Sequence, residues 1–161
     1  DTLLFRSPTC TKTDKEIALE LASIAGVDAE EFGLAMFKAG TSLVGKTIEE
    51  IYNQDYKVFN IGDAKVGIAQ VNTMDIDGFA PLKGEMLEYM ENLCVENGFD
   101  AAVLLLTDVI NATSEVFVAG THPEYVENAF NVQLVEHEAN LPGVISRKKQ
   151  VVPAITRAIN A

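Results

Sequence analysis

Apolar residues recur along this chain with two different periods, and the change of period divides it. Ile17, Leu21 and Ile24 return at helical spacing behind Thr13 and Glu16, which have the spacing of a capping box, and Gly26 follows as a stop. A second helix is predicted from Ala29 to Lys38 with Gly40 as its end. Thr47 and Glu50 open a third, short helix that reaches Tyr52. From Lys57 the texture is that of strands: 57–61 and 65–71 read as a hairpin about Gly62-Asp63. Pro81 to Asn97 is an amphipathic helix with Leu82, Met86, Leu87, Met90 and Leu93 on one stripe and Gly98 as its stop. Ala101 to Asp108 is apolar almost throughout, which predicts a central strand covered on both faces. Glu115 to Ala119 is the next strand, across a turn at 111–114. A helix from Pro123 to Phe130, a strand near Val144-Ile145 and a terminal helix from Pro153 follow. Ahead of all these, Thr2 to Phe5 reads as a strand already under way and Arg6 to Thr9 as a turn. The predicted fold is one α/β domain over residues 1–161, a mixed β-sheet flanked by helices with an N-terminal helical segment.

Composition narrows the functions open to such a domain. The chain is long enough for a sizeable core, and it carries 12 basic against 24 acidic residues, a formal net charge of −12. A field of that sign repels phosphate backbones and anionic lipid, so neither nucleic acid nor membrane is expected as a partner. No apolar run approaches the roughly 20 residues that span a bilayer. Cys10 and Cys94 are too few and too far apart for a disulfide framework or a zinc pair; both are expected as buried, reduced thiols, which points to the cytoplasm. His122 and His137 form no ligand pair and read as surface or cap residues, while Met74, Met86 and Met90 read as core. The chain starts at Asp1, inside a strand pattern and without Met, and is expected to be part of a longer protein.

Against this acidity stands Ser146-Arg147-Lys148-Lys149-Gln150, with no Asp or Glu anywhere after Glu138. Arg offers a planar fork of donors and Lys a compact point charge, the usual pair for phosphate oxygens. Pro153 suits the first turn of a helix, so the basic residues are expected just ahead of a helix N-terminus, which adds to anion affinity. A solvated basic turn is the rival reading. In a regular strand Arg147 and Lys148 would point to opposite faces, so gripping one ligand requires the segment to leave strand geometry. Asp75-Ile76-Asp77 before Gly78 reads as a polar strand exit in preference to a metal or acid/base pair. Gln70 and Asn72 share one strand face and suit hydrogen bonding. Thr107-Asp108, at the end of the central strand, suits either a functional site or a turn cap. No phosphate loop, nucleophile elbow or zinc motif is present, so the residues themselves indicate an anion site without a reaction centre.

Asp1-Thr2-Leu3-Leu4-Phe5-Arg6-Ser7-Pro8-Thr9, Ile68-Ala69-Gln70-Val71-Asn72-Thr73, Ala129-Phe130-Asn131-Val132 and above all Ser146 to Pro153 resemble the manganese-dependent (family II) inorganic pyrophosphatases, in their C-terminal half. The resemblance implies a complete enzyme that hydrolyses pyrophosphate to two phosphates. Its N-terminal domain, of the DHH phosphoesterase superfamily, would carry two Mn²⁺ or Co²⁺ ions on motifs that this chain lacks, with Mg²⁺ as a companion of the substrate. By motif, Asp1 resembles a metal ligand, and Lys57, Arg147 and Lys148 resemble the residues that grip pyrophosphate. It further implies a homodimer, and a chain that is inactive without its N-terminal partner domain. An exopolyphosphatase of the same superfamily and a non-catalytic phosphate-binding module are the rival functions.

Overall fold

The computed structural model describes residues 2–161. Its centre is β3 (Ala101–Asp108), buried at every position as the unbroken apolar run predicts. Around it β1 (Tyr56–Ile61), β2 (Ala64–Thr73), β4 (Thr113–Ala119) and β5 (Glu138–Pro142) complete one sheet in the order β1-β2-β3-β4-β5. Short turns join two antiparallel pairs, β1 to β2 at the predicted Gly62-Asp63 and β3 to β4, while β5 returns antiparallel to β4 after the longer connection 120–137. Only β2 and β3 run parallel, because the segment between them is a crossover that includes helix α4 (Lys83–Asn97).

Side-chain alternation gives the sheet two apolar faces. One packs against α3 (Ile48–Tyr52) and α4 through residues such as Ile51, Tyr52, Met86, Met90, Leu104 and Phe117. The other packs against α5 (Glu124–Phe130) and α6 (Val152–Ile159) through Ile68, Leu105, Val126 and Ile155. On α4 the buried residues Met86, Met90 and Cys94 recur every four positions, and Gly98 ends the helix in the left-handed region at φ 62°.

Several expectations are corrected. Thr2 to Phe5 is not a strand: Leu3, Leu4 and Phe5 sit at φ 49°, 52° and 65° in a run of turns. Helix α1 (Lys12–Ala25) is capped by Thr11 with Asp14, not by Thr13 with Glu16; the same spacing occurs two residues earlier, and Glu16 instead pairs with Lys12 at 3.3 Å. The Ile17, Leu21 and Ile24 stripe faces outward, and neither α1 nor α2 (Ala29–Gly40) buries a residue. The strand expected near Val144-Ile145 lies earlier, as β5, because Gly143 turns the chain at φ 75°. Cys94 is buried but Cys10 only half-buried, and Met74 is half-buried beside the core residues Met86 and Met90. The strand-exit reading of Asp75 holds: its carboxylate accepts from the Gly78 N–H at 2.9 Å, beyond the end of β2. No described helix is long and apolar enough to cross a membrane.

Candidate anion-binding cleft

β2 outlasts β1. The first β1 residue, Tyr56, pairs with Ala69, so positions 70–73 have no β1 neighbour at that edge. This is also the carboxyl end of the parallel pair β2/β3, where open α/β sheets present ligand sites. A cleft of about 550 Å³ occupies the place, and Asp55, Lys57, Gln70, Asn72, Arg147 and Lys148 are among the residues that line it. Lys57 pairs with Ile68 across the β1–β2 ladder, which puts it on the sheet face that also carries Gln70 and Asn72.

The basic segment does not precede the terminal helix, as its Pro153 suggests; it is the helix's first turn. Arg147–Val151 forms a single π-helical turn that runs directly into α6. Leaving strand geometry is what brings Arg147 and Lys148 to one cleft. The turn is held by amides. Gln150 Oε1 accepts from the Ile145 and Ser146 N–H groups at 2.9 and 3.0 Å, and its Nε2 donates to the Gly143 carbonyl at 2.8 Å. Gln70 Oε1 accepts from the Arg147 N–H at 3.1 Å, while its Nε2 donates to Thr107 Oγ1 at 2.9 Å and to the Ile145 carbonyl at 3.1 Å. Ser114 Oγ donates to the Val144 carbonyl at 2.7 Å and lies 2.8 Å from Thr107 Oγ1. Thr107 is therefore a buttress beneath the site. Asp108 is a turn cap, accepting from the Ile110 and Asn111 N–H groups.

The three cations differ. Lys57 and Lys148 are exposed, and among the described residues neither forms an ion pair. Arg147 is an anchored cation with a side chain only 8% exposed, and its Nη2 lies 2.6 Å from the Asp55 carboxylate. Its Nη1 donates to the carbonyls of Asp55 and Ile68. Those bonds leave two of the five N–H donors of a guanidinium for a ligand. Sequence reasoning passed over Asp55 and Gln150. Asp55 carried a signal in its place two residues before Lys57; Gln150 carried one only as the last member of the basic motif, because its partners are backbone groups. Asp1 lies outside the described residues. Among those described, no three or more His, Cys, Asp or Glu side chains converge to hold a metal ion, so they do not by themselves fit a metal pair.

Residues 34–158 match the DHHA2 domain family. This chain belongs to that family. The DHHA2 chain is 58% identical over 159 residues to a cobalt-dependent inorganic pyrophosphatase of Clostridium perfringens, covering 99% of itself and 29% of that protein. It is 53% identical to a Clostridium acetobutylicum protein named as a manganese-dependent inorganic pyrophosphatase, covering 51% of it. Among solved structures it superposes on a Methanococcus jannaschii protein assigned to the family II inorganic pyrophosphatases, with a TM-score of 0.90 and 42% identity. That match covers 99% of this chain and 52% of the other. The DHHA2 chain thus spans about half, or less, of the length of these relatives. The resemblance read from the motifs and the single α/β domain with a mixed sheet both hold.

Proposed function

We propose that this chain is the pyrophosphate-binding, C-terminal half of a family II inorganic pyrophosphatase that hydrolyses pyrophosphate to two phosphates. The observation that carries the reading is the convergence of Lys57, from β1, with Arg147 and Lys148, from the π-helical turn, on one cleft. Lys57 and Lys148 present mobile point charges to an anion, whereas Arg147, fixed by Asp55, presents its remaining N–H groups in a set direction. Donors and charges held in place before the ligand arrives stabilise charge that develops on phosphoryl oxygens during transfer, without reorganisation at that moment. The cleft also concentrates positive charge on a body of net charge −12, so the anion is drawn to one place.

Metal chemistry is assigned to the rest of the complete protein, with Mn²⁺ or Co²⁺ as the ions that the relatives' names indicate. Asp1 is proposed to join that centre. The reading further takes the complete protein as a cytoplasmic homodimer without nucleic-acid or membrane partners, in keeping with its acidity. A manganese-dependent pyrophosphatase assay tests the proposal on the chain alone and on the chain joined to its missing half. Turnover is expected only in the second case, with Lys57→Ala and Lys148→Ala each lowering it on the order of 10²–10³-fold, as at comparable electrostatic sites. Robust turnover by the chain alone, or a joined protein that prefers polyphosphate, would overturn it.

A further inference from the structure

Gln70 and Asn72 stand two positions apart on one face of β2 and border the same cleft. Both carry a carboxamide, yet their surroundings differ. Gln70 is fully engaged, with a donor on its oxygen and two acceptors on its nitrogen. Asn72 Oδ1 is buried and has no hydrogen-bond partner among the described residues. A buried carbonyl oxygen without a donor is a net cost to folding. Earlier positions of the same strand face, Val66 and Ile68, are apolar and fully buried, so an aliphatic side chain at 72 would continue that pattern without the cost. That oxygen is closed to solvent, so it is the other half of the amide, the Nδ2–H group, that the cleft can reach, and it has no partner among the described residues.

The ionised oxygens of a phosphoanion accept hydrogen bonds. An amide N–H answers them, whereas an aliphatic group offers no donor and a carboxylate in the same place would repel the anion. β2 is also a rigid platform, held on its inner side by pairing of Asn72 with Thr107. We infer that Asn72 is a ligand-contacting residue of the cleft, its Nδ2–H donating to a phosphoryl oxygen of the phosphoanion while its Oδ1 stays buried behind it. The inference rests on the reading of the cleft as a pyrophosphate site.

The test is titration calorimetry of the chain with pyrophosphate in metal-free buffer, beside thermal melts, for the wild type, Asn72→Leu and Asn72→Asp. Leucine removes the orphaned oxygen and keeps the branching at Cγ, so its Tm should match or exceed the wild type while affinity falls roughly 10- to 100-fold, the range for a hydrogen bond to a charged group. Aspartate keeps the shape and sets a negative charge against the anion, so affinity should fall further. A residue with only a structural role behaves in the opposite way: leucine lowers Tm while affinity persists, and that pattern overturns the inference. If leucine lowers both, the isosteric aspartate decides, and wild-type affinity in that variant overturns the inference as well. A wild-type chain with no affinity for pyrophosphate sinks the reading of the cleft and this inference with it. Unchanged affinity in both variants of a binding chain sinks the inference alone.

Discussion

Gln150 is not among the residues that line the cleft, yet the shape of the basic turn depends on its three hydrogen bonds to the backbone around Gly143, Ile145 and Ser146. Truncation to alanine leaves two N–H groups without their acceptor, a penalty of about 1–3 kcal/mol if they stay dry. Gln150→Ala is therefore expected to lower unfolding free energy by about 2 kcal/mol in urea titrations. Gln150→Glu, which keeps the acceptor oxygen and loses only the donor to Gly143, should lose about half as much. Equal losses would show that the oxygen is not the anchor. Arg147 poses a different question, since it is at once cation and brace. Its partner Asp55 has a side chain 54% exposed, so the ion pair is screened from one side and is worth less than a fully buried one. The guanidinium bonds to main-chain carbonyls carry the rest. Arg147→Lys keeps the charge but loses the fork, and should destabilise by about 2 kcal/mol. Asp55→Asn retains a neutral acceptor and should cost about 1 kcal/mol or less in the same titration.

At the scale of elements, what was legible in the sequence depended on whether the signal was local. The β3 run, the Gly62-Asp63 hairpin and the Gly98 stop are dictated by neighbouring residues, and each appears where expected. The capping box of α1 was misplaced because Thr11-Asp14 and Thr13-Glu16 satisfy the same rule, and only the folded turn selects Thr11. The Thr2 to Phe5 strand failed for another reason: a strand needs a partner, and its pattern of apolar residues says nothing about which neighbour exists. Likewise the cations of the cleft were legible as residue types, but the π-helical turn that aims them, and the Asp55 that holds one, were not. Helices α1 and α2 show the limit most plainly. Periodicity marks the apolar stripe of α1, yet Ile24 and Leu21 are 77% and 59% exposed, Met36 of α2 is 58% exposed, and no residue of either helix is buried. Helices without tertiary burial rely on intrinsic propensity and caps, which are marginal at 14 and 12 residues. Amide hydrogen exchange in the chain should therefore be faster by orders of magnitude in α1 and α2 than in β3. Protection in α1 equal to that of β3 would refute this.

The molecule as a whole carries −12 at neutral pH, so each proton lost in alkali adds to self-repulsion. Its folded state also holds several protons more tightly than the unfolded chain does. Burial pushes the Cys94 thiol up to about 11 and raises the Tyr52 and Tyr56 phenols, while the hydrogen bond that the Lys83 ammonium donates to the Glu138 carboxylate raises Lys83. The sign is the same for all four. For Lys83, the stabilisation is fully present below the unfolded value near 10.4 and is lost as pH rises through the higher folded value. For Cys94, the unfolded thiol releases its proton from about pH 8.5. The folded thiol keeps its proton up to about 11, so stability falls across that interval and then levels. One proton of difference sets a ceiling of about 1.4 kcal/mol per pH unit on the slope, and partial solvent access keeps Cys94 below it. Urea unfolding free energies measured from pH 8 to 11 should decline for the wild type and decline less steeply for Cys94→Ala, whatever the neutral-pH cost of the lost sulfur. The comparison of slopes reports the thiol together with its charge coupling to Tyr52 and Tyr56, because Lys83 contributes equally to both proteins. Parallel curves would mean that Cys94 titrates alike in the folded and unfolded chain, and that its burial on the core-facing side of α4 does not guard the proton.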